Sequence, residues 1–363
     1  MTGRGRGPRR IEPAPRSGGP ERPRGSLQGG RRARPRGRGR GGAAGVLAAV
    51  TAAACGGTPP PPGGQLAQAI AAALDAAQAQ RAPWRCAAPD GPRLVEETLT
   101  VGKREWKLTG GTMRLAGTGA GPIAIGVIAD AGEAAPRTLA AIGALRGKLA
   151  GAELVLALGG MGASQAELEA TLGALADRAA WPVVALAGDL EPAGEQAAAI
   201  AKLRARGSVV IDGRLARQIE LPGATIATVP GAGAAARLVA GAEGCGYRAS
   251  DVAAVLGELT KRDGLRILAS AEAPRIEVGG EPAGELALTA GATRAIDLAL
   301  HGPAAEAATP ERAGRRDGSA IPLTPGSSDA TLRLPGPRRA PTAGLLVLDG
   351  GAWRWRPVSS SGD

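Results

Sequence analysis

Between residues 121 and 211 the chain alternates short apolar runs with segments of helical length. Strands are expected at Ile123–Asp130, Leu154–Leu158, Val183–Ala187 and Ser208–Ile211. Helices are expected between them at Pro136–Leu149, Ser164–Ala179 and Gly194–Ala205. Ser164 with Glu167 three residues later is a helix-start signature. Strand, helix and strand at this spacing specify a parallel sheet wound with helices, and few other architectures satisfy it. Beyond residue 211 the pattern turns β-rich. A hairpin is expected over Gln218–Leu221 and Ala224–Val229, turning at Pro222-Gly223. A helix follows at Ser250–Lys261, then strands at Leu265–Ser270 and Ile296–Leu300. A last strand pair, Gly344–Asp349 and Ala352–Pro357, is joined by Gly350-Gly351.

The first 54 residues behave differently. They hold thirteen arginines against two glutamates, which accounts for the whole net charge of +11. The remainder balances 31 basic with 31 acidic residues, so the body has no bulk charge to drive binding to a phosphate backbone. A nucleic-acid role is therefore confined to a possible RNA-binding arm in this Gly/Pro/Arg-rich leader, and is not expected of the body. The leader runs into a short apolar stretch, Ala43–Ala54, too short to anchor in a bilayer but suited to a signal-peptide core. Small residues at 52–54 before Cys55 resemble the lipobox of bacterial lipoproteins, with Ala52 where leucine is favoured. The basic region is longer than a usual signal peptide, as a start codon placed too far upstream would explain. The plainer alternative is an alanine-rich linker with an incidental cysteine. Gly56–Gly64 reads as a Pro/Gly tether, Gln65–Ala82 as a helix and 92–116 as strands and turns. The domain plan is thus 1–54 leader, 55–64 lipidated Cys55 and tether, 65–118 accessory segment of helix and hairpin, 119–358 main domain, and 359–363 tail.

In wound sheets, ligands sit beyond the carboxyl ends of the strands. Those ends read Ala129-Asp130-Ala131-Gly132, Leu158-Gly159-Gly160-Met161 and Gly188-Asp189-Leu190-Glu191. Later come Ala271-Glu272-Ala273 and His301-Gly302-Pro303. Over residues 121 to about 356 the series resembles the calcineurin-like metallophosphoesterases, including a Pro-Gly-Ser stretch at Pro325-Gly326-Ser327. The resemblance implies an α/β layered sandwich of wound β-sheets with flanking helices. It also implies a two-metal site at these strand ends. Here the ligand set has decayed. Asp130 keeps the family's first aspartate, but Gly132 replaces its histidine and Gly160 its metal-bridging aspartate. Asp189 stands for the asparagine, Leu190 for the catalytic histidine, and Glu191 keeps the acid. Ala271 and Gly302-Pro303-Ala304-Ala305 have lost the later histidines. His301 is the chain's one histidine, one position early.

The candidate residual metal or polar site is therefore Asp130, Asp189, Glu191, Glu272 and His301, with catalytic residues unassigned. Each has a plain structural reading: turn residue, solvated loop or satisfied buried histidine. No cofactor is expected; the alternative is one weakly bound divalent ion on the carboxylates. The expected function is a lipoprotein with a catalytically silent metallophosphoesterase-like domain in a binding or structural role. The rival is a metal-dependent phosphoesterase with a carboxylate-rich site. The lipoprotein resemblance implies a membrane facing the periplasm or exterior, attachment through lipid on Cys55, and a further protein or small-molecule partner. It also leaves Cys86 and Cys245 in an oxidising compartment, where they can pair or remain separate buried thiols.

Overall fold

Side chains alternate along nearly every strand, and that alternation builds two sheets with a shared interior. The computed structural model describes residues 84–361, apart from 118–120, 235–236, 279–280, 284, 286, 290–295, 304–307, 316–319 and 332–339. Cys55, the tether and the helix expected over 65–82 lie outside the described residues. All described residues belong to one unit, Gly63–Asp363.

In chain order the elements are β1 (Trp84–Arg85), β2 (Leu94–Val101), β3 (Arg104–Gly110), β4 (Thr112–Leu115), β5 (Ile123–Ile128), α1 (Pro136–Lys148) and β6 (Leu154–Leu158). Next come α2 (Gln165–Ala176), β7 (Val183–Leu186), α3 (Ala193–Ala205), β8 (Val210–Asp212), β9 (Gln218–Leu221), β10 (Ala224–Val229) and β11 (Cys245–Gly246). The remainder are α4 (Ala249–Thr260), β12 (Leu265–Ser270), β13 (Ile276–Val278), β14 (Glu281–Ala283), β15 (Leu298–His301), β16 (Arg312–Arg315), β17 (Ile321–Leu323), β18 (Thr342–Asp349) and β19 (Ala352–Ser359).

One sheet has seven strands in the order β16-β19-β18-β5-β6-β7-β8, and β5 to β8 run parallel. The other has eight, in the order β17-β15-β12-β10-β9-β4-β3-β2. Ile125 and Val127, Leu154 and Leu156, and Val184 and Leu186 point into the interior between the sheets. They meet Ile226, Ile267 and Leu298 from the second sheet. The alternate residues Val155, Ala157, Val183 and Ala185 face outward against α1 to α3, through Ile142, Leu145, Leu172 and Leu203. On the far side, Ala227, Val229 and Leu268 carry α4 through Val252, Leu256 and Leu259. The result is a helix–sheet–sheet–helix sandwich: the alternation called for the wound parallel sheet, and the resemblance implied the layered sandwich. Each fully buried Leu or Ile contributes about 1.5–3 kcal/mol. In a chain without Phe, Trp106 and Trp355 fill the largest spaces. Trp355 lies so close over Gly344 that any side chain there would strike its ring.

The segment expected as an accessory piece is, from 94 to 115, part of the main sheet. β4 pairs in parallel with β9, and β3 and β2 extend the sheet beyond it. Trp106, Leu108 and Met113 alternate into the inter-sheet core, so this segment completes the interior. Ser164 Oγ accepts from Glu167 N at 3.4 Å, as its sequence signature requires. The reciprocal bond reaches one residue further out, from Ala163 N to the Glu167 carboxylate at 2.8 Å. Among the described residues no helix is long and apolar enough to cross a membrane.

Candidate functional site

Because β5 to β8 are parallel, and β10, β12, β15 and β17 are parallel in the second sheet, their carboxyl ends gather at common edges. Short contacts show the two edges meeting. Gly231 N donates to Ala187 O at 2.7 Å. A Cβ on Gly159 would lie 3.0 Å from Ala271 Cβ, and one on Gly302 would lie 3.1 Å from Leu158 O. The sequence-derived candidates occupy this junction.

Glu191 is wholly buried. Its Oε1 accepts from Met161 N at 2.5 Å and its Oε2 from Gly188 N at 2.8 Å. The carboxylate therefore clasps the loop after β6 to the loop after β7. Burial pushes it up from 4.5 to about 7, opposed by its backbone N–H donors and reinforced by nearby Asp189. Glu272 is likewise held by protein groups. It accepts from Tyr247 Oη at 2.6 Å and Gly233 N at 2.8 Å, and pairs with Arg237 at 3.0 Å.

Asp130 sits in the left-handed region at φ 54°. Such a conformation costs a non-glycine residue roughly 1 kcal/mol or more and persists where surrounding structure fixes it. Here Asp130 N donates to Gly159 O at 2.9 Å, while Ser327 Oγ and Ser328 N each donate to Asp130 O at 3.0 Å. Burial raises the pKa of the Asp130 carboxyl; Ser327 opposes this, and the charges of Asp329 and Asp189 add to it. Burial also raises Asp189, with Glu272 adding repulsion and Asp189's own backbone N–H opposing. Asp130, Asp189, Glu191 and Glu272 thus form one electrostatically linked acidic group. His301 stands apart from them. It is buried at the end of β15, its Nδ1 lies 2.6 Å from Gly302 O, and burial lowers its pKa. Nδ1–H donates to that carbonyl, which opposes the lowering by burial.

Sequence reasoning passed over Tyr247, Arg237 and Asp329. Tyr247 donates a hydrogen bond to Glu272, Arg237 pairs with its charge, and Asp329 crowds Gly132. Tyr247 carried a signal, being the chain's sole tyrosine and lying two residues after Cys245. Arg237 and Asp329 carried none.

The arrangement does not fit the two metal ions that the resemblance implies. Among the described residues no group of three or more His, Cys, Asp or Glu side chains is placed to hold a metal. Two of the positions that lost their ligands are also crowded. Gly160, where the bridging aspartate belongs, has φ 69°, and its Cβ would fall 2.8 Å from Asp130 Cα. A Cβ at Gly132 would meet the Asp329 side chain, with Oδ2 at 2.9 Å. At Gly160 backbone packing has taken over the space. Gly160→Asp is therefore expected to destabilise the fold by about 1–3 kcal/mol and to recruit no metal. Chemical unfolding and metal titration of that variant check this; unchanged stability with new tight binding of a divalent ion contradicts it.

No family model matches the sequence, and no curated protein matches it. Solved structures similar to it include TT1561 of Thermus thermophilus, at 14% identity and TM-score 0.47, over 66% of this chain and 100% of that one. GAP50, described as the anchor in the inner membrane complex of Plasmodium, is 11% identical with TM-score 0.43, over 66% of this chain and 85% of its own. Purple acid phosphatase PPD1 from yellow lupin seeds is 11% identical with TM-score 0.43, over 71% of this chain and 57% of its own. These likenesses are distant. The layering and sheet order above define the class: an α/β sandwich of two sheets with flanking helices.

Proposed function

We propose that this chain is a membrane-anchored lipoprotein whose metallophosphoesterase-like domain binds or scaffolds and does not hydrolyse phosphoesters. One observation carries the catalytic half of this reading. The carboxylates Glu191 and Glu272 are engaged by protein donors, and Gly160, at the lost bridging position, is closed against the Asp130 backbone. The left-handed Asp130 fits the same reading, as a strained strand end kept by its Ser327 and Ser328 braces. The anchoring half is supported by the order basic leader, apolar run, small residues, Cys55 and Pro/Gly tether.

The acidic group supports a second reading. Burial, reinforced by the charge of Asp189 on Asp130 and of Glu272 on Asp189, raises both aspartates, and carboxylates placed this way suit one hard divalent cation. A carboxylate-rich phosphoesterase would rest on Asp130 and Asp189, since Glu191 and Glu272 are already engaged.

Protein recovered from membranes tests the anchoring. It is expected to begin at a lipid-bearing Cys55, to yield no tryptic peptides from residues 11–40, and to lose lipid labelling in Cys55→Ser. Leader peptides in the membrane fraction, or a lipid-labelled Cys55→Ser chain, contradict it. The same preparation is expected to hold no stoichiometric transition metal.

A further inference from the structure

A second cleft lies away from the strand ends. None of Asp130, Asp189, Glu191, Glu272 or His301 lines it. It has a volume of about 200 Å³ and is bounded by three pieces of chain: the loop carrying Pro89 and Arg93, the β3–β4 turn with Arg217 and Gln218 at the start of β9, and the α4 face of Ala254, Val255 and Glu258.

Two guanidinium groups share this cleft. Arg217 is fixed in place: Nε donates to Arg214 O and Nη2 to Pro92 O, both at 3.3 Å. Gly91 packs against the same guanidinium, where a Cβ would come within 2.5 Å of Nη2. These bonds go to neutral carbonyls, and they leave Nη1 free to donate. Among the described residues neither Arg93 nor Arg217 has a carboxylate within ion-pair distance. Of the acids nearby, exposed Asp90 offsets part of the opposing influences on the charge of Arg217 without pairing with it. Asp251 pairs with Arg85, and Glu258 pairs at 2.7 Å with Lys261 on the exposed rim. Burial first, and then the like charge of Arg93, disfavour ionisation of Arg217. A positioned, partly desolvated guanidinium that lines the same cleft as a second arginine gains from an oxyanion placed there.

We propose that this cleft binds a small organic anion, with its carboxylate or phosphate group against Arg93 and Arg217 and a compact apolar body against Pro89, Ala254 and Val255. The volume limits the ligand to a small molecule, below the usual range of about 300–1,000 Å³ for larger ligands. Glu258 on the rim weakens the attraction of the cleft for an anion. This site does not depend on whether the strand-end acids bind metal.

Calorimetric titration of the full chain with benzoate, phenyl phosphate, inorganic phosphate and benzamide tests the proposal. One organic anion or both should bind at a single site. Benzamide, which lacks the charge, and inorganic phosphate, which lacks the apolar body, should bind at least about tenfold more weakly. Which anion binds identifies the head group. Arg93→Gln should weaken binding at least about tenfold without changing the circular dichroism spectrum. Arg217→Gln should do the same, and Glu258→Gln should tighten binding. Arg93 makes no bond that the fold needs, so its variant remains informative if Arg217→Gln misfolds. Benzamide binding as tightly as benzoate, no saturable binding of either organic anion, or unchanged affinity in Arg93→Gln would each overturn the proposal.

Discussion

Replacing Glu191 with alanine is expected to cost about 2–4 kcal/mol of folding stability, a large effect for one residue at a strand end. The carboxylate is fully buried and is the acceptor for two main-chain donors, Met161 N and Gly188 N. Alanine leaves both N–H groups without a partner and opens a void between two loops. Glutamine fills the space but offers one acceptor oxygen where two are needed, so it should fall between alanine and the native residue. The same group sets a pH dependence. Its folded pKa is about 7 against 4.5 for the free group, so the folded state binds the proton more tightly. The contribution of Glu191 is then fully present below about pH 4.5 and is lost as pH rises through about 7, by roughly 3 kcal/mol. Burial raises Asp130 and Asp189 in the same direction, which reinforces the trend. Urea unfolding of the native chain should show stability falling across that window, and Glu191→Gln should flatten the slope. A native chain that gains stability over the same window contradicts this reading of the clasp.

Loss of the Cys86–Cys245 bond is expected to be as costly. The structure joins the two cysteines, with Cα atoms 5.4 Å apart and 159 residues of sequence between them. A closed loop of that length restricts the unfolded chain by up to about 5 kcal/mol on the chain-entropy model, and measured losses run about 2–5 kcal/mol. The bond also pins β1 to β11, whose parallel pairing is only two residues long. The cysteines pack with Ala187 and Ala193, which flank the loop holding Asp189 and Glu191. The double variant Cys86→Ala, Cys245→Ala should therefore lose stability and show faster amide exchange in residues 187–193. Two freely reactive thiols in unreduced, denatured protein, or full stability in the double variant, contradict this.

Much of the scaffold was legible because its strands signal locally. Leu154–Leu158 and Ala224–Val229 are mainly apolar runs closed by glycine or proline, Gln218–Leu221 alternates up to Pro222, Leu265–Ser270 starts after Gly264, and the structure gives those same limits. What escaped depends on distant partners. The parallel pairing of Thr112–Arg114 with Gln218–Glu220 spans about a hundred residues and leaves no local trace. β16, with sequence Arg-Ala-Gly-Arg, is a strand only because β19 pairs with it. At the strand ends, positions were readable and roles were not. The identity of Glu191 marks a surviving acid, but whether it faces a cleft or turns inward is set by where Met161 N and Gly188 N point. Gly160 reads as a lost ligand. Only the backbone at φ 69°, pressed against Asp130, shows that the loss is also a closure.

The most direct test of the catalytic reading is hydrolysis of a generic phosphomonoester and phosphodiester by the full chain, with manganese, zinc, magnesium or calcium supplied in turn. The rate is expected to match that of the metal ion alone, because two-metal hydrolysis needs a bridging ligand and fixed imidazoles that this strand-end junction lacks. Saturable, metal-dependent turnover that disappears in Asp130→Ala or Asp189→Ala would contradict the proposal and establish the carboxylate-rich enzyme instead.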